Sequence, residues 1–336
     1  MCRLSLLDTQ DKWWEENGDK KNPPHKFTVT YNSESHIEVL TQRVGSVWPR
    51  VLPYCIINVI FITILRMMKD HGGDIGADLT RAYALGSYGY KFAKFIMSFL
   101  VVSRVKMSLD RYNEARKDIG RLYRESRELI QNAVVFTNDH TNREAKEWRF
   151  EMAYRSLLLL RTAMAVLNFS VREEVAWHLP ELNGEEREIV KKSLLINPEN
   201  MHYAIDENTE FEETMRVPVL ISRMLTETIT HQSKRLSKPL ALAQEMKLYS
   251  SVDSFMTGYH GLRKFLTTPV PFPLIQLSRT FLFLYVFTIP FELLTDSSST
   301  AAHCFFVFLI TMGFLGLETV AEELDNPFGD DPNDFK

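Results

Sequence analysis

The chain has 336 residues, of which 24% are charged and 45% apolar, and its formal net charge is −4. That length leaves room for two average domains without requiring them, and the mildly acidic balance gives no global electrostatic case for a nucleic-acid partner. Cys2, Cys55 and Cys304 lie too far apart for a zinc site or a disulfide framework.

A mean hydropathy of −0.16 conceals strong segregation. Residues 56–65, 92–102, 274–293 and 304–317 are nearly free of charge, whereas the middle of the chain is crowded with it. The pattern describes a small membrane part carrying a large helical cytosolic part.

Residues 1–35 are polar, contain Pro23-Pro24 and read as an irregular arm. They have neither the apolar core of a signal peptide nor the Arg-rich, acid-poor character of a transit peptide. Residues 48–65 predict the first apolar helix, broken near its start by Pro49 and Pro53. After Gly72, Gly73 and Gly76, residues 83–102 predict a second. From Arg104 to about Lys264 the pattern is helical and charged, with breaks expected at Pro180, Asn183-Gly184, Asn197-Pro198 and Pro218. The pairs Glu173-Glu174 and Glu185-Glu186 read as solvated helix surface. Residues 274–294 and 301–317 are the strongest candidates for crossings, joined by the short polar loop 295–300.

A spanning helix needs about 20 mainly apolar residues, and the first two runs are shorter. A helix that lines an aqueous path is free to be polar on one face, so four crossings remain the reading. Arg104, Lys106, Arg111, Arg116, Lys117, Arg121 and Arg124 follow the second run, while 295–300 has no basic residue. The positive-inside tendency therefore puts the middle section and both termini in the cytosol. Arg66, Lys69 and Arg81, in an outside loop, run against the rule.

Two features carry candidate chemistry. On the second apolar run, Lys91, Phe95, Phe99 and Ser103 recur every four residues and share one helix face; the plain alternative is an aromatic stripe facing lipid or core. The last stretch, from Gly316 through Asn326-Pro-Phe-Gly-Asp-Asp-Pro-Asn-Asp334, joins an apolar run to a dense set of oxygen donors on a backbone bent by Pro327, Gly329 and Pro332. Calcium takes six to eight oxygens, carbonyls included, but the EF-hand spacing is absent, and a solvated acidic tail is the alternative. His303 is a pH-sensor candidate or an interfacial polar residue, and Glu292 a helix-end acid. Glu318, just below the last crossing, is placed to pair with basic residues after the second apolar run. No nucleophile–base pair, His-Glu metal motif or Gly-rich phosphate loop is present, so enzymatic activity has no positive support.

Several segments together resemble the bestrophin family of anion channels. These are Thr28-Val-Thr-Tyr-Asn-Ser33, Arg43-Val-Gly-Ser46, Ser98-Phe-Leu-Val-Val-Ser-Arg104, Asp110-Arg-Tyr-Asn-Glu-Ala-Arg116, the Pro-rich entry at 267–280 and the closing signature at 316–334. The resemblance implies an all-α integral membrane protein with four transmembrane helices, a large helical cytosolic part and a homopentameric assembly. Its expected parts are an N-terminal arm (1–47), two crossings with the pore helix (48–106), a cytosolic region (107–270), two further crossings (271–318) and an acidic clasp (319–336).

By that likeness Phe95 and Phe99 are neck positions, with Ser103 standing where an apolar residue is expected. Lys91 and Lys94 before the neck, and Arg104 and Lys106 after it, raise the local anion concentration. Met215, three residues before Pro218, matches a second constriction, a packing methionine being the alternative. The implied calcium clasp takes side-chain oxygens from Asp331 and Asp334 and carbonyls from Glu323, Asn326 and His36. The implied function is passive passage of chloride and bicarbonate, with calcium as the gating ligand and no other cofactor. The plasma membrane is the expected location, ahead of a thylakoid or other organelle membrane. A non-conducting membrane scaffold is the rival reading.

Overall fold

A computed structural model describes residues 34–71, 87–169, 175–194, 207–294, 299–328 and 333–335, with the backbone alone at 71, 87–91 and 207–209. The chain divides into two compact units, one made of residues 1–46 with 330–336 and the other of 47–329. In the first, helix α1 (His36–Thr41) is capped by Ser35, whose Oγ accepts from the Glu38 N–H at 3.4 Å. Gly45 has φ 73°, a left-handed turn conformation that an L side chain resists. Its carbonyl accepts from Asn333 Nδ2 at 3.2 Å.

The second unit contains α2 (Trp48–His71), α3 (Ser87–Phe136), α4 (Arg143–Leu167), α5 (Gly184–Ser193), α6 (Glu207–Thr230), α7 (Leu242–Thr267), α8 (Phe272–Leu293) and α9 (Thr300–Asp325). No strand occurs among the described residues. Two expected breaks are absent. Helix α2 runs through Pro49 and Pro53: Pro49 sits in the first turn, where no N–H is needed, and Pro53, inside the helix, forfeits one bond. Helix α6 runs through Pro218. An interior proline costs about 3 kcal/mol, but Val217, Ile221 and Leu225 are fully buried around it, each contributing roughly 1.5–3 kcal/mol. Asn183 does mark a helix start: its Oδ1 accepts from the Glu186 N–H at 2.7 Å. Residues 171–174 and 195–206, with Glu173-Glu174 and Asn197-Pro198, lie outside the described set.

The second apolar run is not a helix of its own length. It is the start of α3, whose 50 residues extend about 75 Å at 1.5 Å per residue. One long helix thus joins the apolar part to the charged part.

The apolar part is a four-helix packing. Val51, Cys55 and Ile62 of α2, Met97 and Val101 of α3, Leu282 and Val286 of α8, and Val307 and Leu315 of α9 form one buried cluster. At its centre Asn58 Nδ2 donates to the Val286 carbonyl at 3.0 Å and to Thr311 Oγ1 at 2.8 Å, fixing the register of three helices. Among the described residues, three helices are long and apolar enough to cross a membrane: α2 over Trp48–Asp70, α8 and α9. Only 28% of the most apolar window of each is buried, so most of that apolar surface faces outward.

The charged part packs α3 against α7, and α4 against α6. Trp148 is fully buried and donates from Nε1 to the Thr228 carbonyl at 3.0 Å. Glu186, expected on a solvated surface, is buried; it accepts from the Tyr154 hydroxyl at 2.7 Å, while Glu185 stays exposed. The amphipathic period of so short a helix does not reveal which end its neighbours cover.

Candidate functional site

Helix α3 has two faces of opposite character. Met97, Val101, Arg104 and Ser108, spaced by four and three residues, are buried against the rest of the chain. Phe92, Phe95, Phe99 and Val102, at the complementary three-and-four spacing, are 66%, 71%, 65% and 62% exposed. A row of uncovered phenylalanines on a helix otherwise well packed needs another surface to meet. Phe95 and Phe99 therefore lie where the sequence places them, on one open face. Phe92 and Val102 join them, a pairing that the three-and-four spacing signals and a strict count of four passes over. Ser103 is half-buried at the edge of this face, Lys94 and Lys106 are exposed, and the Lys91 side chain lies outside the described residues.

Arg104, expected to raise the local anion concentration, is buried and paired. It is 1% exposed, and its guanidinium is held by Asp325, with Nη1 to Oδ1 at 3.1 Å and Nη2 to Oδ2. Ser108 Oγ donates to the same carboxylate at 2.8 Å. A charge so neutralised contributes little field outside the protein.

This pair belongs to a larger set. Over its last two turns α9 presents four carboxylates, each to an arginine of another apolar helix. Glu318 accepts from Arg279 of α8 at 2.8 Å and lies 3.9 Å from Arg104 Nε. Glu322 meets Arg279 at 3.3 Å, and Glu323 meets Arg50 of α2 at 3.1 Å. The expected pairing of Glu318 with a base after the pore helix is present. Asp325 was missed, although residues 318, 322 and 325 share a helix face and so could have been read as a group.

Met215, expected at a second constriction, does not lie on an open face. Met215 is 3% exposed, and its carbonyl accepts from the Tyr259 hydroxyl at 2.6 Å, so its side chain is covered within the chain. The open face of α6 carries Arg216 and Val219 instead. Of the expected clasp, His36 is exposed and Asp334 buried in the first unit; Glu323 and Asn326 belong to the second; Asp331 lies outside the described residues. Among the described residues, no three His, Cys, Asp or Glu side chains are grouped to hold a metal ion.

At the other end of the apolar part His303 is buried, and its Nδ1 lies 3.0 Å from Arg66 Nη1. Because a guanidinium only donates, that nitrogen accepts, and the ring proton sits on Nε2. A groove of about 470 Å³ lies far along the chain beside α4, lined by Arg143, Lys146, Phe150, Tyr154 and Asn183 among others, and its lining contains no His or Cys.

Comparison with known proteins identifies the whole arrangement. A family model described as Bacterial/Fungal Bestrophin protein matches residues 28–336. A voltage-dependent anion channel-forming protein of Nostoc is 23% identical over 317 residues, covering 93% of this chain and 86% of its own length. The voltage-dependent anion channel-forming protein YneE of Escherichia coli K12 is 22% identical over 292 residues, covering 87% and 83%. A crystal structure of a bacterial bestrophin homologue from Klebsiella pneumoniae superposes with a TM-score of 0.65 at 17% identity, over 85% of this chain and 92% of that one. These relatives point away from an enzyme. With its all-helical fold and a family match running from Thr28 to the last residue, this chain belongs to the bestrophin family.

Proposed function

We propose that this protein is a passive anion channel in which several copies of α3, five by family analogy, surround a water-filled axis. The observation that carries this reading is the exposed row Phe92, Phe95, Phe99 and Val102 on a helix whose other face is fully packed. A ring of phenylalanines constricts by dewetting, and ring edges offer partial positive charge to a passing anion. Further along the same side of α3 come exposed Lys106, Lys117 and Arg124, with Asp110 and Glu114 among them, and Arg124 shares its charge with Glu125 at 2.9 Å. The names of the Nostoc and Escherichia coli relatives agree with anion passage. Helix α3 serves as the fourth crossing, its two early lysines tolerable where a helix borders water rather than lipid.

The proposed permeant ions are chloride and bicarbonate, selected by partial dehydration at the aromatic row, and the proposed site is the plasma membrane. Calcium is proposed as a gating ligand held by Asp331 and Asp334, with carbonyls of Glu323, Asn326 and His36.

The test is anion flux from liposomes containing the purified protein, followed by single-channel recording. Phe99→Ala should raise unitary conductance and weaken discrimination among anions. Unchanged current and permeability ratios in that variant would remove the pore role of this row. Absence of flux in the unmodified protein would favour the scaffold reading. Equal currents in chelator and in micromolar calcium would remove calcium from the proposal.

A further inference from the structure

The turn that joins α6 to α7 sets a run of cations around an exposed hydroxyl. Residues 233–239 read Ser-Lys-Arg-Leu-Ser-Lys-Pro, with three cations and no acid. Folding sorts them by exposure. Gln232 is 3% exposed; its Oε1 accepts from the Leu240 N–H at 3.0 Å, and its carbonyl accepts from the Arg235 and Leu236 N–H groups at 3.1 and 2.9 Å. Leu236 and Leu240 are buried and anchor the turn, while Lys234, Arg235, Ser237 and Lys238 are exposed. Ser237 Oγ lies 2.9 Å from Nδ1 of His140, on the turn between α3 and α4. In that second turn Asn142 Nδ2 donates to the Arg235 carbonyl at 3.4 Å, and Arg149 holds the Thr137 and His140 carbonyls at 2.7 and 3.1 Å. The hydroxyl thus stands where two turns touch, between the ends of α3 and α6 and the starts of α4 and α7.

We propose that Ser237 is a phosphorylation site for a serine kinase whose acidic cleft reads cations two and three residues before the acceptor, here Arg235 and Lys234. Such a cleft draws its substrate by charge complementarity and needs the segment extended. A turn outside any helix opens at less cost than a helix interior. Arg235 is paired with Glu151, but both side chains are partly exposed, so little is lost when the kinase takes the guanidinium. Ser193, which also follows two lysines, is the contrast: it ends α5, and its Oγ donates to the Ile189 carbonyl of its own helix at 2.8 Å. In the reaction Ser237 Oγ attacks the γ-phosphorus of ATP. The new O–P bond forms as the bond to the β–γ bridging oxygen breaks, ADP leaves, and the hydroxyl proton passes to the kinase's base. Phosphoserine carries about −1.5 to −2 charges at pH 7 and three acceptor oxygens. At this position His140, Lys234 and Lys238 supply donors, so the phosphate ties the α6–α7 turn to the α3–α4 turn by charge-assisted hydrogen bonds. The modification therefore stiffens the end of α3 remote from its aromatic row. The inference does not depend on anion passage; it asks only that this end face the compartment holding ATP, as the positive-inside tendency expects.

The test treats the purified full-length protein in detergent with ATP and the catalytic subunit of cyclic-AMP-dependent protein kinase, and maps phosphate by peptide mass. Phosphate should appear on Ser237 well before Ser193, and the peptide holding residue 237 should stay unmodified in Ser237→Ala. Lys234→Ala combined with Arg235→Ala should slow incorporation roughly tenfold or more, the scale of losing two charge contacts to the cleft. Amide exchange then compares modified and unmodified protein over 137–142 and 232–241. Phosphate should slow it roughly tenfold, the equivalent of one hydrogen bond to a charged group. His140→Gln should accept phosphate at the unaltered rate and lose most of that slowing. No phosphate on Ser237 in the intact protein, equal incorporation at Ser193, or a rate indifferent to the Lys234 and Arg235 changes would overturn the site. Exchange unchanged or faster after phosphorylation would overturn the bridging role of the phosphate.

Discussion

Substituting Gly261 by alanine should destabilise the packing of α7 on α3, against the preference of an isolated helix. Helix α7 faces α3 at Gly258 and Gly261, where an added Cβ would meet Leu122 and Asp118. A Cβ added at Gly261 would stand 2.1 Å from Asp118 Oδ2 and 3.0 Å from Asp118 Cγ, well over 1 Å short of ordinary contact. Asp118 cannot simply yield, since it is 8% exposed and its Oδ1 is held by Arg121 Nη1 at 3.3 Å. Either α3 and α7 part along their whole contact, or the carboxylate swings away and leaves Arg121. Overpacking of this kind costs about 1–3 kcal/mol, and the gain in helix propensity from glycine to alanine returns about 1 kcal/mol. The expected net loss is about 1 kcal/mol, which lowers the melting temperature by roughly 2–4 °C in a protein beyond the smallest domains. Thermal unfolding in detergent, followed by tryptophan fluorescence, measures it. Because the strain is placed on one side chain, Asp118→Ala combined with Gly261→Ala should recover most of the loss, a coupling of about 1 kcal/mol. A melting temperature that rises in Gly261→Ala, or single changes that add without coupling, would refute the placement of Asp118 in the glycine notch.

Tyr154→Phe removes a hydroxyl that donates to Glu186 Oε2 at 2.7 Å and to the Glu181 carbonyl at 2.7 Å; loss of a hydrogen bond to a buried charged group should cost about 1.5–3 kcal/mol by chemical denaturation. Burial, then the bond to Glu186, raises the Tyr154 hydroxyl to about 12. Its contribution is therefore complete below pH 10 and is lost as pH climbs through about 12, so the gap between the unmodified protein and Tyr154→Phe should close in strong alkali. Burial also raises the Asp118 carboxyl, more than neighbouring Arg121 lowers it, and Glu114 adds to the rise. Because the folded state holds this proton more firmly than the unfolded chain, stability should fall as pH rises through the elevated value. Asp118→Asn should match the unmodified protein in acid and be the flatter of the two toward neutrality; a gap opening the other way would contradict the assignment.

What the sequence by itself determined is whatever a short window encodes. Apolar runs at 48–65, 274–294 and 301–317 became helices long enough to span a membrane, because burial of apolar surface needs no particular partner. Asn183 started a helix through its own side chain. The exposed pair Phe95 and Phe99 and the family signature at the C-terminus were legible for the same local reason. The tertiary structure decided the rest. Pro218 reads as a break until Val217, Ile221 and Leu225 are seen buried around it. Arg104 reads as a free cation near the pore until Asp325, 221 residues away, is found against it. Met215 and Glu186 likewise took their roles from Tyr259 and Tyr154, side chains on other helices. A charge or a proline has a local cost that any sequence shows, but its compensation comes from groups brought close only by folding, and there the helices' packing had the final word.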